Sequence, residues 1–319
     1  MKKVVLVTGA AGFIGSHLAE RLLDLGNRVI GLDNFDDFYS PATKWHNIHA
    51  LREKRAFELQ QGDIRDIALL ADIFSRNKID IVVHLAGRPG VRPSLEQPLL
   101  YQEINVGGTI NLLEASRTYG VKQFLFASSS SVYGLNSQTP FSEEAKVDYP
   151  ISPYAASKAA AELFCRTYSY LYDLPTVVLR LFTVYGPRQR PEMAIYHFTR
   201  MIEQGQEVTL FGDDTTSRDF TYIDDIVAGF EAVLTLRDKG FDVFNLGAGK
   251  SVNLKYVISL IEVSIGKKAR IREVGPQPGD VPTTLADISK ARSTFGYQPK
   301  VDIAEGIPRF VRWYSENGR

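Results

Sequence analysis

The chain has 319 residues, 44% of them hydrophobic and 23% charged, and its 37 basic and 37 acidic side chains cancel to a formal net charge of zero. At about 150 residues per domain this suggests two domains. The hydrophobic content excludes disorder over most of the length, and the charge balance lacks the basic excess of a general nucleic-acid coat or a membrane-surface protein. A single cysteine, Cys165, excludes an internal disulfide and a Cys-rich zinc site and fits a reducing compartment. No stretch of about 18 predominantly apolar residues exists to cross a membrane. The apolar run near the start breaks at Thr8 and Gly9, too early for a signal peptide and well placed for a buried first strand. The expectation is a cytoplasmic chain with no metal site and no nucleic-acid or membrane partner.

Short Val/Ile/Leu runs at 3–7, 28–32, 56–60, 79–84, 123–127 and 176–181 read as strands. Amphipathic stretches at 16–25, 66–76, 98–119 and 153–172 lie between them and read as helices. Continuous apolar strands with intervening helices require a parallel sheet covered on both faces. Right-handed crossovers then give an α/β, doubly wound parallel sheet of Rossmann type. After Leu181 Gly, Pro and Asp break the rhythm, and short helices are expected at 193–204, 224–236, 254–265 and 287–295. The expected division is a dinucleotide-binding domain over 1–181, rejoined by about 222–247 through a strand at 243–246. A smaller α/β substrate lobe would comprise 182–221 and 248–319.

Thr8-Gly9-Ala10-Ala11-Gly12-Phe13-Ile14-Gly15 follows the first strand and opens a helix. Glycine lets the backbone turn tightly and lets a pyrophosphate approach without a Cβ clash. The helix N-terminus offers free N–H groups and a positive dipole end to phosphates. Gly9, Gly12, Phe13, Ile14 and Gly15 are therefore candidate cofactor contacts, although a close helix–strand crossing also calls for glycines. Asp33 ends the second strand, where a carboxylate accepts from both ribose hydroxyls and repels a 2′-phosphate, favouring NAD over NADP. A capping role is the bland alternative for Asp33. Asp63 and Ile64, after the third strand, are weaker candidates for flanking the adenine.

Tyr154 and Lys158 stand four apart on an expected helix and share a face. A lysine ammonium favours the phenolate, so the tyrosine can take and return a hydroxyl proton near neutral pH. Ser128-Ser129-Ser130-Ser131 ends the fifth strand, at the sheet edge where doubly wound folds bind ligands. A polar loop is the bland alternative. Cys165 lies 11 residues, about three helical turns, beyond Tyr154 on the same face and reads as core, and His84 reads as a structural strand-end residue.

In combination, TGAAGFIG, Asp33, His84-Leu85-Ala86-Gly87, the serine run before Val132-Tyr133-Gly134, and Tyr154-Ala155-Ala156-Ser157-Lys158 resemble the extended short-chain dehydrogenase/reductase family over almost the whole chain. The resemblance implies that Ser129, Tyr154 and Lys158 serve hydride transfer between a sugar-nucleotide carbon and NAD. It also places Leu85 and Ala86 beside the cofactor, and Ser130 and Ser131 beside the substrate.

Family members that dehydrate or decarboxylate carry an acidic residue just before VYG, where this chain has Ser131. That points to epimerisation, in which hydride leaves and returns to the same carbon. The segment from Leu179 to Ala194, with Asn34 to Lys44, Gly90-Val91-Arg92 and Gly279-Asp280-Val281-Pro282, resembles the UDP-glucuronate 4-epimerases of that family. The resemblance implies that Thr183 and Arg190 hold a sugar carboxylate, that Arg218 and Asp280 help hold UDP, and that the enzyme is a homodimer. Arg suits these tasks because its planar donor fork matches carboxylate and phosphate.

The implied cycle has Tyr154 remove the 4-hydroxyl proton during oxidation, a 4-keto sugar turn its other face, and Tyr154 return the proton. Arg88, Pro89 and Gln277 depart from the family pattern and carry no assigned role. A UDP-glucose 4-epimerase and a noncatalytic NAD-binding regulator are the rival readings, and an intact Ser129–Tyr154–Lys158 set argues against the second.

Overall fold

The computed structural model describes residues 2–135, 138–213, 215–236, 240–275, 279 and 281–317. Asp280 and Gln277 lie outside the described residues. In chain order the elements begin β1 (Val4–Thr8), α1 (Phe13–Asp24), β2 (Arg28–Asp33), α2 (Pro41–Asn47), α3 (His49–Arg52), β3 (Phe57–Gln61), α4 (Ile67–Arg76) and β4 (Ile81–His84). Then follow α5 (Val91–Glu96), α6 (Pro98–Tyr101), a π-helical turn (Gln102–Gly107), α7 (Gly108–Thr118), β5 (Gln123–Ser129), a 3₁₀ turn (Ser130–Tyr133), α8 (Pro153–Tyr172) and β6 (Thr176–Leu181). The remainder is β7 (Thr183–Tyr185), α9 (Ala194–Glu203), β8 (Glu207–Phe211), β9 (Ser217–Tyr222), α10 (Ile223–Val233) and β10 (Phe241–Leu246). β11 (Ser251–Asn253), α11 (Leu254–Ile265), β12 (Arg270–Val274), α12 (Ser289–Phe295) and α13 (Ile303–Asn317) complete it.

Seven strands form one sheet in the order β10-β6-β5-β4-β1-β2-β3. The pairings β1–β2, β2–β3, β1–β4 and β4–β5 are parallel, with Val5 opposite both Val29 and Ile81. The fold is doubly wound α/β, as the alternating apolar runs require. Chain order reverses between β1 and β4, which is where such sheets open a ligand crevice at their carboxyl ends. Leu6, Ile30, Val82, Phe124, Phe126 and Cys165 lie in one hydrophobic core under this sheet.

The chain divides into two compact units, one of residues 1–136, 146–180 and 230–244, the other of 137–145, 181–229 and 245–319. In the second unit β11-β9-β7 form one small sheet and β12-β8 another. Residues 137–145 sit in this unit because Phe141 N–H donates to Leu285 O at 2.7 Å and Asn245 Nδ2 donates to Phe141 O at 2.8 Å. Asp219 is its buried hub. Its carboxylate accepts from Ala248 N, Gly249 N, Ala286 N and Thr221 Oγ1 at 2.7–3.1 Å.

One expected helix is interrupted. The stretch read as continuous over 98–119 breaks into α6, a π turn and α7. Glycines at 107 and 108 weaken the helical preference there. At Gly108 an added Cβ would lie 2.3 Å from the Ile64 side chain, so only glycine lets this segment approach β3's exit loop.

Candidate active site

The dinucleotide loop grows directly from the β1–α1 turn. Gly9 has φ +70°, and a Cβ there would lie 2.9 Å from Ala86 N. At Gly15 a Cβ would lie 2.0 Å from Gly9 O, so both positions exclude any side chain. Gly12 caps α1 in an extended conformation with no side-chain hydrogen bond, which leaves the helix N-terminus to an anionic ligand. Leu85 N–H donates to Thr8 O and Ala86 N–H to Thr8 Oγ1, fixing β4's exit against that turn.

Asp33 is 8% exposed and accepts from Ala11 N at 3.0 Å and Phe35 N at 2.9 Å. Burial raises its pKa, and these N–H donors act against that rise. Each carboxylate oxygen retains a second acceptor site for a ribose hydroxyl. Asp63 is engaged by Arg65 and Asn34, whose hydrogen bonds hold its pKa down at about 2. Ile64 is buried against Gly108. Beneath the loop, His84 bridges Thr8 Oγ1 at 2.8 Å and Thr109 Oγ1 at 3.0 Å. Thr109 gives its hydroxyl proton to Asn105 O, so it accepts from His84 Nε2–H, and Thr8 donates to Nδ1. Burial and the Lys158 charge hold this imidazole neutral. His84 is thus a structural bridge.

α8 carries Tyr154 and Lys158 one turn apart, with Ser152 Oγ accepting from Ala155 N as its N-cap. Lys158 is 6% exposed and its Nζ donates to Ala127 O on β5 at 2.9 Å. Burial lowers its pKa to about 8, with the Glu162 charge pulling the other way. The Tyr154 ring meets Tyr101 edge-on at 6.2 Å. Ser129 Oγ donates to Ser131 Oγ at 3.1 Å and accepts from Ser131 N at 3.2 Å. Ser130 and Ser131 begin the 3₁₀ turn that follows. No carboxylate occurs among Ser128–Tyr133, so the turn offers no acid for elimination.

Three features of this unit escaped the sequence reading. Glu162, one turn past Lys158, is buried and accepts from Arg180 Nε and NH2 at 3.1 and 2.8 Å. Ser128 Oγ donates to Glu162 at 2.5 Å, and the Arg180 guanidinium lies 4.9 Å from the Tyr133 ring centroid. Burial works against the Arg180 charge, but Glu162 holds its pKa up. The i, i+4 spacing from Lys158 was the available signal. Second, Asn105 on the π turn clamps the backbone of Arg88 and donates to Ser157 Oγ at 2.9 Å. Third, Asn47 Nδ2 donates to Ala11 O at 3.0 Å, tying α2 to the glycine loop.

The second unit carries Thr183, Arg190 and Arg218. Thr183 starts β7, opposite Phe220. Gly186 (φ +141°) and Arg188 (φ +64°) form a tight turn, closed by Gln189 N–H to Gly186 O at 3.1 Å. A positive φ at arginine is strained, and such strain concentrates at functional sites. Arg190 pairs with Glu192 at 3.1 Å. Arg218 NH1 donates to Ser217 O and Pro282 O, both at 2.9 Å. Asp219 and Asp225 are taken by backbone N–H groups of their own unit. Among the described residues no cluster of three or more His, Cys, Asp or Glu could hold a metal, and no helix is long and apolar enough to cross a membrane.

The GDP-mannose 4,6 dehydratase family model matches residues 6–310. The UDP-glucuronate 4-epimerase of Thermodesulfobacterium geofontis is 44% identical, covering 98% of this chain and 96% of its own. The crystal structure of UDP-glucuronic acid 4-epimerase from Bacillus cereus, in complex with UDP-glucuronic acid and NAD, superposes with a TM-score of 0.93 at 37% identity, covering 98% of this chain and 99% of that one. UDP-glucose 4-epimerase from Thermotoga maritima, solved with UDP-glucose, gives 0.90 at 32% identity, covering 99% and 100%. With its glycine loop at the β1–β4 switch point and its Tyr154–Lys158 pair on α8, the chain belongs to the GDP-mannose 4,6 dehydratase family, within the extended short-chain dehydrogenases/reductases.

Proposed function

We propose that the protein is an NAD-dependent UDP-glucuronate 4-epimerase, an isomerase that interconverts UDP-glucuronate and UDP-galacturonate in the cytoplasm. The observation that carries this reading is a proton-transfer pair, Tyr154 and buried Lys158, beside a 3₁₀ turn that holds only serines where an eliminating enzyme needs an acid. Similarity over nearly the full chain to enzymes of this activity supports it. The uronate preference rests on Thr183 and on Arg190, whose donor fork matches a carboxylate.

NAD, when bound, supplies a hydride acceptor and donor at carbon 4. The residues that fit it are Gly9, Gly12, Phe13, Ile14 and Gly15 around the phosphates, Asp33 at the adenosine ribose, Asp63 and Ile64 near the adenine, and Leu85 and Ala86 along the β4 exit. The structural ground for that fit is the N-terminus of α1, which no side chain caps at Gly12, held in place by the close backbone packing that Gly9 and Gly15 allow. Tyr154 takes the 4-hydroxyl proton and returns it after the 4-keto sugar has turned its other face. Lys158, charged below pH 8, favours the phenolate. Ser129 orients the sugar hydroxyl, with Ser130 and Ser131 beside it. Thr183 and Arg190 hold the carboxylate, and Arg218 and Asp280 hold UDP.

Leu163, Tyr170 and Leu171 are 66%, 85% and 57% exposed on one face of α8. Such a face calls for a partner, and a second copy of this chain is the occupant we assign. Incubation with UDP-glucuronate, UDP-galacturonate, UDP-glucose and UDP-xylose, with product separation, tests the activity. Interconversion of the two uronates is expected. Preferential turnover of UDP-glucose would replace this reading by a UDP-glucose 4-epimerase.

A further inference from the structure

The loops that leave β2 and β4 are joined by a side chain to which neither motif nor spacing assigns a task. β1 lies between β4 and β2 in the sheet, so a link between their exit loops passes over the carboxyl end of β1 and its glycine turn. Arg88 makes that link. Its NH1 donates to both carboxylate oxygens of Asp36, at 3.0 and 3.1 Å, and NH2 reaches Gln97 Oε1 at 3.4 Å. The guanidinium carbon lies 5.1 Å from the Phe38 ring centroid.

Both ends of the link are anchored. On one side, Asn105 accepts from Arg88 N at 2.7 Å, donates to Arg88 O at 3.1 Å, and is itself held to the catalytic helix through Ser157. On the other, buried Lys44 donates to Asp36 O at 2.5 Å, and Asp36 accepts from Phe38 N at 2.8 Å. The side chains of Arg88 and Asp36 are only 14% and 31% exposed. A charge-assisted contact made by one guanidinium nitrogen to both carboxylate oxygens, between fixed backbones, loses little entropy on forming.

We propose that the Arg88–Asp36 pair is a clasp that closes over the dinucleotide and sets how slowly NAD leaves. The proposal rests on the NAD reading above. An epimerase reduces and reoxidises one bound cofactor within a single turnover, so retention serves the reaction, and the clasp must open for exchange.

The test is the release of NAD from purified holoenzyme, followed by exchange with isotope-labelled NAD, together with the NAD content after denaturation. Arg88→Ala and Asp36→Asn should each speed release by about tenfold or more, the scale of one lost charge-assisted pair. Arg88→Lys should fall between. The charge swap Arg88→Asp with Asp36→Arg should restore slow release. Raising ionic strength should speed release from the wild type and not from Arg88→Ala, because a partly exposed pair is screened. Wild-type release rates in both single variants overturn the clasp. So does fast release in Arg88→Ala with Asp36→Asn unchanged, since Arg88 would then act on the ligand alone. A wild type that binds no NAD overturns the cofactor reading as well, which separates the two failures.

Discussion

Replacing Lys158 by methionine is expected to leave the fold at least as stable near neutral pH while removing activity. Burial lowers the ammonium pKa from 10.5 to about 8, a difference that corresponds to about 3 kcal/mol against the charged form in the folded chain. Below pH 8 the folded and unfolded states both hold the proton, and the whole penalty is present. Between pH 8 and 10.5 the unfolded chain binds more protons, so this group makes stability rise with pH. Above 10.5 both states are neutral and the penalty is gone.

Methionine keeps the linear stem and removes the charge, but it also removes the bond to Ala127 O, at a cost of about 1–3 kcal/mol. The variant should therefore be level with or modestly ahead of the wild type near neutral pH and behind it at alkaline pH. The decisive quantity is the swing of about 3 kcal/mol between those conditions. Urea unfolding of NAD-stripped wild type and variant, followed by circular dichroism below pH 8 and near 10.5, measures it. A stability difference that stays constant across that range would refute the argument.

Tyr154→Phe removes the proton carrier and keeps most of the ring's packing on Tyr101, so epimerisation should fall by about 10²–10⁴-fold with UDP-glucuronate affinity retained. Near-normal turnover by the folded variant would assign the proton to another group. Oxidation of UDP-glucuronate at carbon 4 creates a β-keto acid, which loses CO₂ most readily when the carboxylate bond lies parallel to the ketone π-system. Arg190→Ala removes a restraint of about 1.5–3 kcal/mol on that orientation, so it should slow epimerisation and raise the share of UDP-4-keto-pentose detected by mass spectrometry. Unchanged affinity, rate and CO₂ loss would remove Arg190 from the carboxylate site. Leu163→Glu with Tyr170→Glu should shift the sedimentation of a dimer to that of a monomer, and an unaltered dimer would place its interface on another face.

The strands of the large sheet were legible because each is a continuous apolar run, and a strand buried on both faces leaves no other pattern. β6 and α8 emerge over the same residues that the sequence indicates, and β1–β5 within two. Both ends of α8 are marked, by Ser152 and Pro153 at the start and by Asp173 in the left-handed region at the finish. The break at Gln102–Gly107 was not legible, since a π turn differs from an α turn only in hydrogen-bond register. The second unit was read mainly as helices because β7 and β11 span three residues each, β9 is no continuous apolar run, and Asp219 on β9 gathers three backbone N–H groups from segments distant in the chain. At the candidate site, the residues with a spacing (Gly9 to Gly15, Tyr154 to Lys158) announced themselves. Arg88 with Asp36, and Glu162 with Arg180, are pairs that only folding brings together.

Cys165 sits on the buried face of α8 with no exposed surface, and burial pushes its thiol pKa up. A thiol kept protonated and covered reacts with neither oxidant nor alkylating reagent until the surrounding packing opens. Since the chain has no other cysteine, the slow labelling of this sulfur is an intrinsic clock for the opening of α8 from β5. Read with and without saturating NAD, that clock gives the free energy with which the cofactor holds the helix down, with no probe added to the protein.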